Sequence, residues 1–277
     1  MVKRIAYLGP PGTFTEEAAL LYDSKAQLIP FSSPHAVISA VDTGEAEEGV
    51  IAIENSIEGS VTDNLDLLIH ESNLLIREEL VLPVEHHLLT RPGTESSKLQ
   101  IIFSHPQALA QCRRFLEQRF PQAHMVAALS TASAVEQMLS SSVPAAAIGT
   151  QRAAKLYGAD ILARNIQDHS PNVTRFIVLS YQDHAPTGRD KTSLCFSFNE
   201  DRPGLLYEML KEFAQHTINL TKVESRPSKE SLGRYIFLVD LEGHREDPLI
   251  SQVLARVKAM TTMFKIFGSY PKYEERA

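Results

Sequence analysis

Hydrophobic and polar positions alternate along residues 1–181 in a pattern that predicts strands and helices in turn. Apolar runs predict strands over residues 3–9, 27–31 and 49–54, and apolar residues three and four positions apart predict helices between them. After a long β-rich segment, residues 74–90, the same alternation resumes. Alternating strands and helices predict parallel sheets covered by helices. We expect two such lobes, joined by the long segment, with a cleft between them.

The pattern changes after residues 181–191, which are polar, contain Pro and Gly, and are typical of a linker. Beyond them the order of predicted elements is βαββαβ, a ferredoxin-like order. Its members are a strand at 192–198, a helix at 203–216, strands at 218–225 and 234–242, a helix at 248–260 and a strand at 264–270. The sequence therefore predicts an α/β protein with a large N-terminal domain and a small C-terminal domain.

Charge and cysteine usage limit the possible partners and locations. The 277 residues include 27 basic and 34 acidic side chains, which give a net charge of −7 and argue against binding to nucleic acid or a membrane surface. An anionic ligand would need local positive charge, from an Arg or a helix N-terminus. The two cysteines, Cys112 and Cys195, lie far apart and favour a reducing compartment. With neither a secretory signal nor an apolar run of about 18 residues, the prediction is a cytoplasmic protein.

The first cluster with chemical potential is GPPGTFT at residues 9–15. It leads backbone N–H groups to a predicted helix start, where Thr13 and Glu16 resemble a capping box. Such a turn suits an anion, although a simple strand-to-helix turn is the commoner explanation. It lacks the Lys-Ser/Thr ending of a phosphate-binding loop, so nucleotide binding is not supported.

Two further clusters offer uncharged donors. ENSIEGSV at residues 54–61 follows a buried strand and brings Asn55 and Ser56, although turn formation alone also accounts for these residues. SHPQ at 104–107 opens a single predicted helix over residues 106–120, and capping of this helix is the alternative explanation for Ser104. Gln111 lies near the first turn, and Cys112 is more typical of a core residue than of a nucleophile. His86, His87 and His105 receive no role.

The fourth cluster, NVTRF at residues 172–176, comes just before a predicted strand at 176–180. Arg175 is suited to bidentate binding of a carboxylate in this acidic chain, with a surface salt bridge as the alternative. Thr174 by itself indicates nothing.

In this order and spacing, the four clusters resemble the prephenate dehydratase family. The motifs that carry the resemblance are GPPGTFT, ENSIEGSV, SHPQALAQC and NVTRF. The small domain adds RPGLLYEML and the ESRP tetrapeptide at residues 224–227, which are similar to an ACT-type regulatory domain and its phenylalanine-binding motif. The resemblance covers nearly the whole chain.

The resemblance implies a lyase that converts prephenate to phenylpyruvate, with loss of water and CO₂, in L-phenylalanine biosynthesis. Aromatisation drives this reaction, so neither a metal nor another cofactor is expected. The implied fold is a two-lobed, periplasmic-binding-protein-like catalytic domain and a ferredoxin-like ACT domain. Their expected limits are residues 1–181, with lobes at 1–76 plus 166–181 and at 77–165, and residues 192–277.

The resemblance also implies roles for individual residues. Thr174 is expected to donate a hydrogen bond to the departing hydroxyl. The other expected catalytic residues are Asn55, Ser104 and Gln111. The expected substrate-binding residues are Arg175, Phe176, Ser56 and Thr13. The expected phenylalanine-binding residues are Pro203, Gly204, Leu205, Leu206, Glu224, Ser225, Arg226 and Pro227.

Two other functions remain open at this point: an arogenate dehydratase, and a non-catalytic two-lobed ligand sensor. We expect L-phenylalanine as an allosteric effector and self-association through the ACT domains, as a dimer or a tetramer. A chorismate mutase segment has no room ahead of Gly9, so the expected enzyme is monofunctional.

Overall fold

The computed structural model describes residues 2–198, 202–229 and 233–274, which fall into two compact units. The first unit combines Met1–Val61 with Val81–Phe176, and the second combines Thr62–Leu80 with Ile177–Ala277. The chain therefore passes between the units three times. These units are defined by contacts, and the domain limits expected from the sequence stay a prediction.

The first lobe of the first unit is built on a six-stranded sheet in the order β2-β1-β3-β11-β5, with β4 paired to β3. Strand β5 enters this unit from the second, and β11 continues from this unit into the second. Strand β1 is parallel to β2 and β3, whereas β4 is antiparallel to β3. The strands are β1 (Arg4–Leu8), β2 (Gln27–Phe31), β3 (Glu48–Asn55), β4 (Gly59–Ser60), β5 (Leu75–Pro83) and β11 (Val173–Ser180).

Two helices with side-chain caps complete this lobe. Helix α1 (Phe14–Tyr22) is capped by Thr13, whose side chain accepts from the N–H of Glu16. Helix α2 (Pro34–Asp42) is capped by Ser33 and has proline in its first turn, where no N–H is needed. The expected capping box at α1 is only half present, because the Glu16 carboxylate accepts from Gly12 N at 2.7 Å.

The second lobe contains a five-stranded sheet in the order β10-β6-β9-β7-β8, with buried apolar clusters formed largely by residues of its strands and helices. Its elements are β6 (His87–Thr90), a short 3-10 helix (Ser96–Lys98), β7 (Ile101–Ser104), α4 (Pro106–Gln111), α5 (Arg113–Arg119), β8 (His124–Ala127), α6 (Thr131–Ser140), β9 (Ala145–Gly149), α7 (Gln151–Tyr157) and β10 (Asp160–Ala163).

The second sheet is not fully parallel, contrary to the expectation from the alternating pattern. Strand β7 is parallel to β8 and β9, but β6 is antiparallel to both of its neighbours. The chain enters β6 from the crossing segment rather than through a helix, so no helical crossover fixes its direction. The crossing segment is itself interrupted, since residues 84–86 separate β5 from β6.

The single helix predicted over residues 106–120 is two helices, and Ser104 does not cap the first. The break falls at Cys112, where Asp168 accepts from the N–H groups of Arg114 and Phe115 at 2.9 and 3.3 Å. The N–H of Asp168 binds the Gln111 carbonyl at 2.7 Å. Such side-chain capping satisfies the polar groups that a broken helix exposes. The N-cap of α4 is His105.

The second unit contains helix α3 (Thr62–His70) and the C-terminal elements, whose βαββαβ order is confirmed. Their sheet is antiparallel, in the order β13-β14-β12-β15, and helices α8 and α9 share its apolar core. The elements are β12 (Asp190–Ser197), α8 (Leu205–Gln215), β13 (Leu220–Pro227), β14 (Tyr235–Glu242), α9 (Pro248–Ala259) and β15 (Met263–Pro271). Within the described residues, no helix has the length and apolarity that crossing a bilayer requires.

Polar contacts attach the N-terminal part of the second unit to its C-terminal part. Lys191 binds the buried carboxylate of Glu79 at 2.7 Å. Lys265 donates to the carbonyl oxygens of Leu68, Ile69 and Ser72, at the C-terminal end of α3, where a cation is favourable. Helix α3 and the first part of β5 are therefore held within this unit.

We predict that Gly268→Ala destabilises the second unit. A Cβ at this position would lie 2.7 Å from Ile76 N and closer still to the Ile76 carbonyl oxygen, and φ is +146°. The backbone of Ile76 cannot move aside as the end of a flexible side chain can. We therefore expect the free energy of unfolding to fall by about 3 kcal/mol, and urea denaturation measures this loss.

The control is Gly44→Ala, where φ is +74° but no heavy atom lies within 4 Å of the added Cβ. This variant reports the cost of positive φ alone, about 1 kcal/mol. Equal losses in the two variants would contradict the steric argument.

Candidate active site

A cavity of about 220 Å³ lies where the two lobes of the first unit face each other. The first lobe contributes the end of β3, the start of β11 and the start of α1, and the second contributes α4 and the start of α6. Its lining residues are Thr13, Phe14, Thr15, Ala52, Asn55, Val84, His86, His105, Gln107, Ala108, Gln111, Leu129, Ser130, Thr131, Thr174 and Phe176.

Asn55 and Thr174 meet at one wall of this cavity. The oxygen of the Asn55 side chain accepts from the N–H groups of Ile57 and Glu58 at 3.0 and 3.1 Å, which fixes the orientation of the amide. Its nitrogen consequently faces Thr174 and donates to Oγ1 at 2.9 Å. Because Oγ1 accepts this bond, the threonine proton remains available for a ligand in the cavity.

A chain of hydrogen bonds continues from Asn55 to the opposite wall. Asn55 Nδ2 also lies 2.8 Å from Asn172 Oδ1, and Asn172 Nδ2 donates to Gln111 Oε1 at 3.0 Å. Gln111 Nε2 in turn donates to Glu58 Oε1 at 3.1 Å. All three side-chain amides of this network are at most 8% exposed, so their positions are well constrained.

His86 belongs to the same network and received no role from the sequence. Its Nε2 lies 3.0 Å from Gln111 Oε1, and its ring packs edge-on against Phe14. Burial lowers the pKa of His86, so the neutral imidazole is favoured. Since Gln111 Oε1 can only accept, the hydrogen is on Nε2. No sequence signal marked His86, because its segment was expected to be uninterrupted strand.

Three helices begin at the cavity. Their N-cap residues are Thr13, His105 and Ser130, and all three line it. Helices α1 and α6 have nine and ten residues, long enough for the partial positive charge of their first turns to matter. No Lys or Arg is among the lining residues. The cavity therefore offers positive potential without a cationic side chain.

The structure brings together some of the expected catalytic and substrate-binding residues but not others. Asn55, Gln111, Thr174, Phe176 and Thr13 line the cavity. Three other expected residues, namely Ser104, Ser56 and Arg175, are absent from the lining.

Those three residues make other contacts. Ser104 is fully buried and donates its hydroxyl proton to the carbonyl of Ile148, so no proton is left for a substrate. Ser56 Oγ accepts from the N–H of Val173 and fixes the start of β11. Arg175 Nη1 lies 3.5 Å from Glu54 Oε2. Side chains alternate along a strand, so Arg175 is on the face of β11 opposite to the face of Thr174 and Phe176, which line the cavity.

The expected phenylalanine-binding residues all lie in the second unit. Pro203 to Leu206 span the start of α8, where Gly204 is the N-cap with φ of +88°, a value that favours glycine. Glu224 to Pro227 end β13. Arg226 is 8% exposed, donates to Asp66 Oδ1 at 2.7 Å and lies 3.7 Å from Glu224 Oε1.

Neither cysteine is arranged for catalysis. Cys112 and Cys195 are free and fully buried. Burial raises the pKa of both thiols, that of Cys195 to about 12, so both are protonated at neutral pH. Cys112 packs in the core of the second lobe, in agreement with the interpretation of the sequence.

With this geometry established, comparisons with known proteins identify what the chain is similar to. A family model described as prephenate dehydratase matches residues 5–184, and one described as ACT domain matches residues 196–259. A bifunctional chorismate mutase/prephenate dehydratase from Aquifex aeolicus is 44% identical over 97% of this chain and 74% of its own length. A prephenate dehydratase from Methanocaldococcus jannaschii is 38% identical over 99% of this chain and 100% of its own.

Two solved structures share the architecture. The prephenate dehydratase from Arthrobacter aurescens in complex with L-Phe has a TM-score of 0.89 and 36% identity, with 97% of this chain and 90% of that chain covered. GqqA, described as a novel type of quorum quenching acylase, has a TM-score of 0.88 and 32% identity, with 98% of both chains covered.

We predict that His86 makes stability depend on pH below neutrality. Because the pKa of His86 is lowered on folding, the unfolded chain binds a proton there more readily, and stability falls as the pH drops through about 6.5. His86→Gln should therefore lose less stability than the parent protein between pH 7.5 and 5.5, by at most about 1.4 kcal/mol per pH unit, the limit for one proton.

Urea denaturation at the two pH values measures this difference, and replacement of the exposed His124 by Gln serves as the control. If His86→Gln and the parent protein show the same pH dependence, His86 does not carry the effect.

Proposed function

The chain belongs to the prephenate dehydratase family, and from that premise we propose how its cavity converts prephenate to phenylpyruvate. The observation that carries the proposal is the convergence of Thr174, Asn55 and Gln111 on one cavity, with uncharged donors and three helix starts around it.

The reaction places specific demands on the protein. The bond between the ring and its carboxylate breaks, the electron pair enters the ring, and the hydroxyl leaves from the opposite carbon. One proton joins the hydroxyl, so the products are phenylpyruvate, CO₂ and water. The protein must hold the two carboxylates, orient the ring and assist the departing oxygen. A tight ion pair on the ring carboxylate would stabilise the substrate more than the transition state.

Thr174 is the group that assists the departing hydroxyl. Its Oγ1 accepts from Asn55, which polarises the threonine hydroxyl and strengthens it as a donor. A free threonine is a very weak acid, so hydrogen-bond donation to the leaving oxygen is favoured over complete transfer of the threonine proton. Gln111, positioned by Asn172 and Glu58, shapes the opposite wall.

The starts of α1 and α6 hold the carboxylates. Both helices direct the positive ends of their dipoles at the cavity, and Thr13 and Ser130 are their caps. This arrangement attracts a dianion into a chain of net charge −7 without burying a guanidinium against the carboxylate that must leave. Phe176 and Phe14 supply apolar walls for the ring.

In this structure Arg175, Ser56 and Ser104 contact the scaffold of the site, and their expected contacts with the substrate stay a prediction. Arg175 pairs with Glu54, and Ser56 binds the backbone of Val173 next to Thr174. Both contacts fix the start of β11. Ser104 ties β7 to β9 through Ile148 in the core of the second lobe. The role of Arg175 as an anchor for a carboxylate stays a prediction, and the helix starts are a second source of positive potential.

Other activities receive less support from the geometry. An acylase needs an activated nucleophile, but the Cys112 thiol is buried and protonated and the Ser104 hydroxyl is committed to a carbonyl. A pure sensor has no need for a polarised threonine. Arogenate differs from prephenate only in its side-chain ammonium, and turnover of the two substrates compared side by side separates these functions.

We further propose L-phenylalanine as the effector. The Arthrobacter aurescens relative is described in complex with L-Phe, and the ACT family model covers residues 196–259 here. The ligand would bind near Gly204, where positive φ keeps the start of α8 free of a side chain, and near Glu224 and Arg226 at the end of β13. Any effect on activity requires different affinities for two conformations.

We propose self-association through the ACT domains, as a dimer or a tetramer, and a cytoplasmic location, with which the two free cysteines agree. The proposed limits of the catalytic domain are residues 1–181, with lobes at 1–76 plus 166–181 and at 77–165, and those of the ACT domain are residues 192–277.

We predict that Thr174→Ala lowers kcat for prephenate by about 10²-fold while the protein stays folded. The fold should persist because Asn55 Nδ2 keeps two acceptors, Asn172 Oδ1 and the Val173 carbonyl. Thr174→Ser retains the hydroxyl and should recover most of the turnover. Formation of phenylpyruvate without added cofactor is the measurement.

The control is Thr43→Ala, at the C-cap of α2, which is not among the residues that line the cavity. A Thr174→Ala protein with near-normal kcat would refute the assignment of Thr174.

We predict that saturating L-phenylalanine raises the melting temperature of the parent protein but not that of Arg226→Gln. A ligand at 100 times its Kd stabilises by about 2.7 kcal/mol, which corresponds to roughly 5 °C or more for a protein of this size. Each variant is compared with itself with and without the ligand, so any intrinsic loss of stability cancels.

Lys211→Gln, on the exposed side of α8, is the matched control and should respond as the parent does. If the parent shows no shift and no change in activity, the effector is wrongly identified. If Arg226→Gln shifts as much as the parent, Arg226 is not part of the binding site.

A further inference from the structure

One ion pair joins the two lobes at the edge of the cavity. Arg152 on α7 of the second lobe binds Glu16 on α1 of the first lobe, through Nη2 to Oε1 at 3.0 Å and Nε to Oε2 at 3.2 Å. The Glu16 side chain is 7% exposed and that of Arg152 is 36% exposed. Two parallel bonds of this kind fix direction as well as distance.

Glu16 also holds the turn that forms one wall of the cavity. Its Oε2 accepts from the N–H of Gly12 at 2.7 Å, immediately before Thr13 and Phe14, which line the cavity. The guanidinium of Arg152 and the N–H of Gly12 therefore share one carboxylate oxygen. A displacement of Arg152 would move the carboxylate and, with it, this turn.

The same turn is docked on α7 at further points. Thr150, the N-cap of α7, donates its hydroxyl to the Gly12 carbonyl at 2.9 Å, and the hydroxyl of Tyr157 lies 3.2 Å from the Pro11 carbonyl. A Cβ on Gly12 would lie only 3.1 Å from that of Ala153. Glycine thus permits the close approach of the turn to α7.

A second acidic side chain bridges the lobes elsewhere around the cavity. Glu58, in the loop after β3, accepts from Gln111 on α4. Glu58 is exposed, whereas Glu16 is buried, so the Glu16–Arg152 pair is the better shielded of the two bridges.

We propose that Arg152 is a positioning residue for the substrate site, which acts through Glu16 to hold the turn of residues 9–15 against the second lobe. The pair acts as a latch that keeps the lobes in the arrangement that forms the cavity. Arg152 itself does not line the cavity, so this role needs no contact with the substrate.

The latch has a defined kinetic signature. If only a fraction of the molecules has the turn docked, the apparent affinity for a ligand of the cavity falls by that fraction. Once bound, a substrate bridges both walls itself and restores the docked arrangement. Loss of the latch therefore raises KM and leaves kcat little changed, whereas loss of a catalytic group lowers kcat.

The experiment compares Arg152→Gln, Arg152→Lys, Glu16→Gln and the double variant Glu16→Gln/Arg152→Gln with the parent enzyme. We expect KM for prephenate to rise about 3- to 10-fold in Arg152→Gln, with kcat within about twofold of the parent. Arg152→Lys, which keeps the charge, should recover part of this loss. KM of the double variant should be no higher than that of the single variant with the higher KM, because both changes remove the same interaction.

The matched control is Arg113→Gln on α5 of the same lobe, where the partner Glu117 is exposed and both side chains lie on the surface. This change removes an Arg–Glu pair that is joined by one bond, Arg113 Nε to Glu117 Oε1 at 2.7 Å, and lies within a single helix. We expect its KM and kcat to equal those of the parent.

Hydrogen exchange at the amides of Gly12 and Thr13 gives a second readout that does not depend on turnover. Exchange should quicken in Arg152→Gln, because the N–H of Gly12 loses its fixed acceptor, and should be unchanged in Arg113→Gln. The kinetic measurement rests on the proposed dehydratase activity, but the exchange measurement does not. A parent protein that fails to act on prephenate overturns the proposed function alone.

Three results would overturn the latch itself. The first is unchanged KM and unchanged amide exchange in Arg152→Gln. The second is a loss confined to kcat, and the third is effects of Glu16→Gln and Arg152→Gln that multiply in the double variant. Should Arg152→Gln fail to fold, Arg152→Lys and Glu16→Gln carry the same comparison.

Discussion

The site depends on one amide, the side chain of Asn55. Its oxygen accepts from two backbone N–H groups of the loop that follows β3, and its nitrogen donates to Thr174 and lies close to Asn172. A buried amide satisfied at both ends has a single orientation, and that orientation leaves the Thr174 proton free. The direction of the Thr174 hydroxyl, the position of Asn172 and the hydrogen bond from Asn172 to Gln111 all follow from this arrangement.

We propose that the helix starts at the cavity attract the dianionic substrate. The cavity's ligand in the family reaction carries two carboxylates, yet the chain is acidic and, among the residues that the structure describes, no Lys or Arg lines the cavity. Helix starts provide positive potential that is fixed by the backbone and is moderate in strength. A moderate field can hold a carboxylate without preventing its loss as CO₂, whereas a bidentate guanidinium would favour the substrate. The guanidinium groups nearby, Arg152 and Arg175, are paired with Glu16 and Glu54.

The sequence located most elements and the motif residues, but it misjudged several local features for identifiable reasons. The helix over residues 106–120 breaks at Cys112 because Asp168, more than fifty positions away, caps its second part. Capping of a helix was the alternative explanation for Ser104, yet His105 is the cap and the Ser104 hydroxyl donates to the buried carbonyl of Ile148. His86 escaped notice because the interruption of the crossing segment at residues 84–86 has no local signal. In the first two cases the deciding partner is distant along the chain.

By itself, the sequence determined the α/β alternation, the βαββαβ order of the second unit, the cap at Thr13, and the motifs that mark the family. Periodicity and capping act over a few residues, so a single chain segment specifies them. The tertiary structure alone decided which motif residues share the cavity, that Arg175 turns to Glu54, and that Glu16 meets Arg152. Those outcomes depend on strand pairing and on packing between segments more than a hundred residues apart, which local patterns do not encode.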